Sequence, residues 1–457
     1  MNPAGSDIEV SFVVPTYNGR DLLACCLPAL QRAADRSGLG ERVEIVVVDD
    51  ASADETADYL RRRWPAVRTI RLETNAGFAA AANAGIRAAR GRWVAMVNND
   101  VTVADDWLRA ARPHLDQPGV GAIATRILQP SSPPLVESDG DEYTVAGVPL
   151  QSGRDTPPSA PAGSAPTPPP TPTPTSPPAP PDERASDGAG KEAPCVSRGR
   201  DDGDRTPNRP ASPPQTDPAP NAIENEAPCA SRGTKAPNAI GNEAPCGSRG
   251  TEDHSNEGGE RTPLVPDRAP PPRRCFSGCG AAVLYRREAL DEVGPFCEDL
   301  QAYYEDVELG FRLNLRGWTC VHEPRCMCVH RGSASYGRGS FRQKFNSARN
   351  AEAIFFTCMP RGLLLRYLPA HLLADLLLTG HHLLRGTAWA YLRGKLAFLA
   401  RLGWAIRRRR EVQALRVVPS ADLRDRLVRP WLRALLAQHS RSRAARAASR
   451  RAEKRLN

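Results

Sequence analysis

Aromatic side chains are scarce in this 457-residue chain, 6% of the total, and between positions 151 and 272 there is no Phe, Trp or Tyr. The same stretch holds 28 of the 44 prolines. A segment with so little to bury cannot offset the entropy lost on ordering, which excludes a packed domain there and leaves a disordered insertion. A short unit recurs inside it, APNAIENEAPCASRGT at 219–234 and APNAIGNEAPCGSRGT at 236–251, with a fragment, EAPCVSRG, starting at Glu192. Isoleucine is the only large aliphatic residue in each copy, too little for repeats that bury a face by stacking.

Other absences are equally restrictive. The 12 cysteines form no paired C-x2-C or H-x3-H spacing, so a closed zinc site is excluded and reduced thiols in a cytoplasmic setting are expected. The opening MNPAGSDIEV has neither a basic start nor an apolar core, and no secretory leader is expected. No uncharged apolar run approaches the ~20 residues that span a bilayer. Residues 360–406 are rich in Leu but broken by Arg366, Asp375, Arg385, Arg393 and Lys395. Two or three helices lying on a membrane surface are expected here, anchored by Trp389, Tyr391, Trp404 and the following RRRR; packing on the rest of the chain is the alternative. Localisation is then peripheral, on the inner face of the cell membrane. The net charge of +9 is local: residues 401–457 carry 17 Lys plus Arg against 4 Asp plus Glu, or +13, leaving −4 for the remainder. Such a tail suits anionic surfaces, lipid head groups or nucleic acid.

What is present is an alternation of apolar runs and helix-like segments over residues 8–128. IEVSFVV, VEIVVV, VRTIRL, RWVAMV and VGAIATRIL read as strands. GRDLLACCLPALQRAA, ADETADYLRRRW, GFAAAANAGIRAAR and ADDWLRAARPHL read as helices. This is the pattern of a parallel sheet covered on both sides. Ligands of such sheets bind beyond the carboxyl ends of the strands. Three polar clusters fall there: PTYNG after the first strand, DDAS after the second and NND after the fourth.

Each cluster has a chemical reading. Asp49 and Asp50 can accept from a pyrimidine N–H or from ribose hydroxyls, or can cap the next helix. Tyr17 offers a ring to a base. Asn98, Asn99 and Asp100 are either a strand-ending turn or a cation site with one carboxylate. The NAGFAAAANAG run lacks G-x-G-x-x-G, which excludes a dinucleotide fingerprint. Beyond the insertion, CFSGCGAAVLYRREALDEVG predicts a strand over 281–285 entering a helix. YYEDVELGFRLNLRGW predicts a helix stopped by Gly317, and TCVHEPRCMCVHRGSASYG a short strand and a loop carrying His322 and His330. Glu305 and Asp306 sit under aromatic residues, where burial lifts a carboxylate toward the range of a general base.

Taken in order, VSFVVPTYNG, VEIVVVDDASADET, NAGFAAAANAGIRAARGRWVAMVNND, GCGAAVLYRREALDEVGPF, YYEDVELGFRLNLRGW and VHRGSASYG resemble the family 2 inverting glycosyltransferases of GT-A fold, nearest their bacterial rhamnosyltransferase-like branch. The resemblance covers about residues 8–155 and 272–370. It implies an α/β fold, a mostly parallel twisted sheet flanked by helices. The domains would be a nucleotide-sugar-binding half (1–150), the insertion (151–272), an acceptor-side catalytic half (273–360) and membrane-associating helices with a basic tail (361–457). It further implies a nucleoside-diphosphate sugar donor, a glycan or glycolipid acceptor, and Mg²⁺ or Mn²⁺.

Carried onto this sequence, Pro15, Tyr17 and Asp50 hold the base, with Asn75 and Asn99 also on the nucleotide. Asp100 is the metal ligand and His330 its candidate partner. Asp306 is the catalytic base, with Glu305 beside it. Where relatives commonly read FDEDFFAYYEDVDL this chain has FCEDLQAYYEDVELG, so Cys297, Gln301 and Glu308 bear on specificity. The expected function is transfer of a rhamnose-like or other hexose to a lipid-linked or surface polysaccharide, with no nucleic acid expected as partner. The alternatives are nucleic-acid binding through the tail, or a nucleotidyltransferase on a similar sheet.

Overall fold

Strands apolar at every position have no face to offer water, and here they are buried throughout. In the computed structural model, which describes residues 7–131, 134–158, 269–332 and 339–456, β1 (Val10–Thr16) has no exposed position. The repeats, most of the proline-rich stretch and the SASYG end of the last motif lie outside the described residues. Helix α1 (Arg20–Asp35) follows β1, then β2 (Val43–Asp49), α2 (Thr56–Arg63), β3 (Arg68–Arg71), α3 (Phe78–Ala88) and β4 (Trp93–Val97). These strands form a parallel array, with β1 between β2 and β4 and β3 beyond β2. Each strand ends where its polar cluster begins.

The second half brings in antiparallel strands. After β5 (Val101–Val103), α4 (Trp107–Leu115), β6 (Val120–Leu128), β7 (Val136–Asp139), β8 (Asp141–Tyr143) and β9 (Pro149–Gln151), the described chain resumes at β10 (Arg273–Cys275) and β11 (Ala282–Arg286). Strand β11 runs antiparallel between β4 and β6. Helices α5 (Arg287–Val293) and α6 (Glu305–Arg316) lead into β12 (Thr319–His330). The order is β10-β12-β6-β11-β4-β1-β2-β3, with β5 and β7 paired onto β12 and β6. This is the mostly parallel, helix-flanked sheet expected. Trp93 and Trp107 are fully buried in its core, Trp107 against Phe12.

Two expectations change. The predicted short strand before His330 is a 12-residue strand, because β6 on one side and β10 and β5 on the other supply backbone partners along its length. The anchors expected on a membrane surface partly turn inward. Beyond α7 (Phe341–Cys358) and α8 (Arg361–Leu384) lie α9 (Ala388–Ala400), α10 (Leu402–Ala414), α11 (Ser420–Asp425) and α12 (Trp431–Leu456). Tyr391 on α9 is buried, its hydroxyl 3.2 Å from Asp375. Lys395 contacts Glu352 and Asp375, and the His371 ring stacks on Phe355 while Nδ1 meets the Ala146 carbonyl at 2.9 Å. On α10, Trp404 donates to Asp299 and Arg409 to the Phe356 and Met359 carbonyls. These helices therefore pack on the rest of the described chain, largely through α7.

Glu308, singled out above for specificity, is structural. It is 2% exposed on α6 and receives Arg312 at 2.8 Å and Arg408 of α10 at 2.8 Å. Both guanidinium charges hold its carboxyl below the ordinary range against the opposing effect of burial. Glu308→Gln strips the only carboxylate that the buried Arg312 pairs with among the described residues. Unfolding in denaturant followed by Trp fluorescence should show a loss of about 3 kcal/mol or more, the scale for breaking a buried pair.

Candidate active site

The first cluster is built by close approach of backbone. Gly19 begins α1 so near β4 that a Cβ on it would lie 2.2 Å from Thr16 Oγ1 and 2.4 Å from Asn99 Nδ2. Those two atoms are themselves hydrogen-bonded at 2.8 Å, so glycine lets the ends of β1 and β4 be tied together. Pro15 is buried in β1. Tyr17 just beyond it is 44% exposed, a ring open to a ligand.

Asp50 has a different occupation from that expected of a free ligand. Its two carboxylate oxygens accept from the Ala76 and Gly77 N–H groups at 2.7 and 2.9 Å. It thereby fixes the loop that carries the exposed Asn75 and starts α3. Asp49 is held by Arg71 and by the Ser52 N–H. The acids at the end of β2 are thus engaged within the chain, Asp50 holding the 75–77 loop and Asp49 held by Arg71 and Ser52.

The NND cluster meets the histidine across the sheet. Register pairs Val101 with His330, and His330 Nε2 lies 3.4 Å from Asp100 Oδ1 while Nδ1 lies 3.0 Å from Glu137 Oε2. Burial opposes the imidazolium, but the bonds to Asp100 and Glu137 outweigh it and push the His330 pKa up to about 9. A carboxylate on one ring nitrogen with the other facing a second carboxylate is the arrangement that orients metal-binding histidines. A cation would have to displace the Nε2 proton; with that proton gone, Asp100 and His330 Nε2, backed by Glu137, would form a donor set that fits a divalent cation accepting both oxygen and nitrogen.

The acid pair sits at the start of α6. The Asn98 N–H donates to the Ala281 carbonyl at 2.9 Å, and one residue earlier the Gly280 N–H donates to Asp306 Oδ2 at 2.6 Å. The NND turn and Asp306 therefore share one short loop, residues 279–281. Asp306 Oδ1 accepts from the Val307 N–H at 2.8 Å. Burial raises the Asp306 pKa, partly countered by those N–H groups. Glu305 is buried with Oε2 unpartnered, and burial and then the Asp306 charge lift its pKa well above normal.

The segment before α6 is strained, with Gln301, Tyr303 and Tyr304 at φ of 63°, 71° and 70°. Each such non-glycine residue costs about 1–3 kcal/mol and persists only where its surroundings impose it. The Gln301 carbonyl is also bonded by the Ala79 N–H of α3.

Sequence reasoning missed Glu137, Cys279 and Asp141. Ligand atoms of Asp141, Cys279 and Asp306 lie within 4.8 Å of one another. Asp141 is buried, accepts from Ser138 Oγ at 2.8 Å, and is pushed well up by burial and then by Asp306. VESDGDEY crowds acids together, but Gly140 at φ 80° ends β7 after Asp139 and Asp141 opens β8, so strand period does not put them on one face. The pairing of β7 with β6 and the bridge from Asp141 to Ser277 sort them; Asp139 is taken by Arg126.

A sequence model described as glycosyl transferase family 2 matches residues 11–148, and one described as glycosyl transferase family group 2 matches residues 271–406. The chain belongs to the family 2 glycosyltransferases. The succinoglycan biosynthesis protein ExoO of Rhizobium meliloti is 43% identical over 122 residues, 26% of this chain and 34% of that protein. Dodecaprenyl-phosphate galacturonate synthase of Rhizobium johnstonii is 35% identical over 105 residues, 22% and 30% of the two chains. N-acetylglucosaminyl-diphospho-decaprenol L-rhamnosyltransferase of Mycobacterium tuberculosis is 42% identical over 59 residues, 13% and 19%. The chain thus spans about a third of the length of the first two curated relatives it matches. Among solved structures, the mannosyltransferase PcManGT from Pyrobaculum calidifontis, in complex with GDP-Man and Mn²⁺, is 15% identical with a TM-score of 0.40, covering 96% of this chain and 86% of that one.

The close approach at Gly19 is directly testable. Gly19→Ala has to break the Thr16–Asn99 bond or displace α1, and a loss of about 1–3 kcal/mol in thermal or chemical unfolding is expected, as for other overpacked sites.

Proposed function

We propose that this protein is an inverting glycosyltransferase that moves a hexose, rhamnose-like or other, from a nucleoside-diphosphate sugar to a hydroxyl of a lipid-linked or surface polysaccharide. The observation that carries this reading is the carboxylate of Asp306, buried and fixed by two backbone N–H groups, on the loop that also holds the NND turn. The donor lies across the ends of β1, β2 and β4, with Tyr17 on the base, Asn75 and Asp50 bounding it, and Asn99 toward the ribose. Asp100 and His330 would hold Mg²⁺ or Mn²⁺, which supplies Lewis-acid stabilisation of the charge gathering on the diphosphate. The 59-residue segment that is 42% identical to a decaprenol rhamnosyltransferase supports a deoxyhexose among the candidate sugars.

The residues account for a single displacement. Asp306, ionised, takes the proton of the acceptor hydroxyl as its oxygen forms a bond to the anomeric carbon. The bond from that carbon to the diphosphate breaks with its electron pair on the leaving oxygen, and attack from the opposite face inverts configuration. Burial and the Asp306 charge raise the pKa of Asp141 and of Glu305 well above normal, which favours Asp306 as the ionised member, since like charges this close resist simultaneous ionisation.

A thermal-shift series with UDP, dTDP, GDP and their sugars, with and without Mn²⁺, tests the reading. Stabilisation by one diphosphate in the presence of metal is expected, about 2.7 kcal/mol at a hundredfold excess over Kd; no stabilisation by any of them overturns it. Asp306→Asn should abolish transfer while leaving that stabilisation in place. In the wild type the base works only when ionised. Because burial raises its pKa, the rate should fall as pH drops through a value above the ordinary aspartate figure of about 3.9.

The acceptor reading brings a membrane surface with it. Helix α8 is long and apolar enough by length and composition to cross a membrane, and little of it is buried. Leu372, Leu376 and Leu384 on α8 and Trp389 and Leu396 on α9 are exposed, Leu384 at 92%. With Arg361, Arg366, Arg385 and Arg393 on the same helices, this region suits apolar insertion beneath anionic head groups. Co-sedimentation with vesicles containing phosphatidylglycerol should capture the protein, and Leu376→Asp with Leu384→Asp should release it; equal capture of that variant removes the surface from the reading.

A further inference from the structure

The acid pair stands at the end of a segment that does not hold its own shape. Gln301, Tyr303 and Tyr304 all have left-handed backbone, and Tyr304 caps α6 without a side-chain hydrogen bond to the helix. Nothing in the local sequence, which has no glycine between Leu300 and Glu305, favours that course. The restraint comes from α7, some 50 residues on in the chain. Asn350 is completely buried, and its amide Nδ2 lies 2.9, 3.1 and 2.7 Å from the carbonyls of Leu300, Ala302 and Tyr303. Its Oδ1 accepts from Arg349 Nε, and Arg349 Nη2 reaches the same Leu300 carbonyl at 2.9 Å. One turn earlier on α7, Ser347 is hydrogen-bonded to the Tyr304 hydroxyl.

We propose that Asn350 is a positioning residue for sugar transfer: its amide gathers the carbonyls of the segment before α6 and so fixes where the Asp306 carboxylate stands. This rests on the reading of Asp306 as the base. The chemistry is specific to a primary amide. Two N–H groups serve three carbonyls, while the amide oxygen keeps Arg349 turned toward the same segment. A carboxylate of the same shape would present only acceptors to those carbonyls. Released, the segment relaxes toward right-handed or extended backbone. Asp306, the second residue after Tyr304, then moves relative to Gly280 and to the donor.

The prediction separates kcat from donor affinity, because the nucleotide clusters on β1, β2 and β4 make none of these bonds. In Asn350→Asp and Asn350→Ala, kcat should fall about a hundredfold, the cost of roughly an ångström of misplacement. The donor KM should stay within about threefold of wild type. Hydrogen exchange of backbone amides in residues 300–307 should accelerate about tenfold or more in both variants, with exchange in β1 and β4 unchanged. The alanine variant guards against an effect of the buried charge alone. Unchanged kcat, a parallel loss of donor affinity, or unaltered exchange in 300–307 overturns the proposal. If the wild type transfers no sugar from any donor, yet exchange in 300–307 rises in both variants, the reading of Asp306 as base fails while the restraint by Asn350 stands.

Discussion

The hydrogen bond from the Gly280 N–H to Asp306 Oδ2, 2.6 Å long, is the joint between the two halves of the molecule. On one side of it the 279–281 loop is bonded to Asn98 at the end of β4; on the other, the carboxylate begins α6. It sets the start of α6 against the loop that also meets the end of β4. The inversion of β11 makes the joint possible, because an antiparallel strand between β4 and β6 enters the sheet at the end where the parallel strands leave it. Residues near 98 and near 280 are thereby neighbours despite the long insertion between them. The cost of closing so long a loop grows only slowly with its length.

What could be read from the sequence follows from where the signal is local. Parallel strands buried on both faces announce themselves as unbroken apolar runs, and β1, β2, β4 and β6 lie close to where such runs fall. The polar clusters were legible as strand ends, and the acid pair because it lies at the head of a helix. What stayed hidden depends on partners far along the chain. Glu137 reaches His330 only through the pairing of β7 with β6 and of β6 with β12. The left-handed course of residues 301–304 has no glycine to mark it, since its cause is an asparagine on another helix. Glu308 invited a specificity reading from its local motif, whereas its role is set by an arginine a hundred residues away.

The basic C-terminal region shows how charge count and charge use diverge. Several of its arginines do not form a free cationic surface: Arg408 is committed to Glu308, Arg409 to two carbonyls, and Arg401 to Asp299. These guanidinium groups tie α10 to α6, α7 and the segment before the acid pair, so the region that reads as a tail in composition is a brace in structure. Much of the apolar surface that remains open is on α8 and α9, and α9 packs on α7, the helix that carries Asn350.

The sheet ends in β10 at one side and β3 at the other, with sequences RRC and RTIR. Strand edges carry unpaired backbone groups that invite a neighbouring chain to add on, and short length with positive side chains is how proteins discourage it. Here each edge offers only three or four residues and two arginines. Those arginines are partly turned to the chain itself, Arg71 to Asp49 and Arg273 to Glu142, so the shortness of each edge is what limits the backbone it can offer a neighbouring chain.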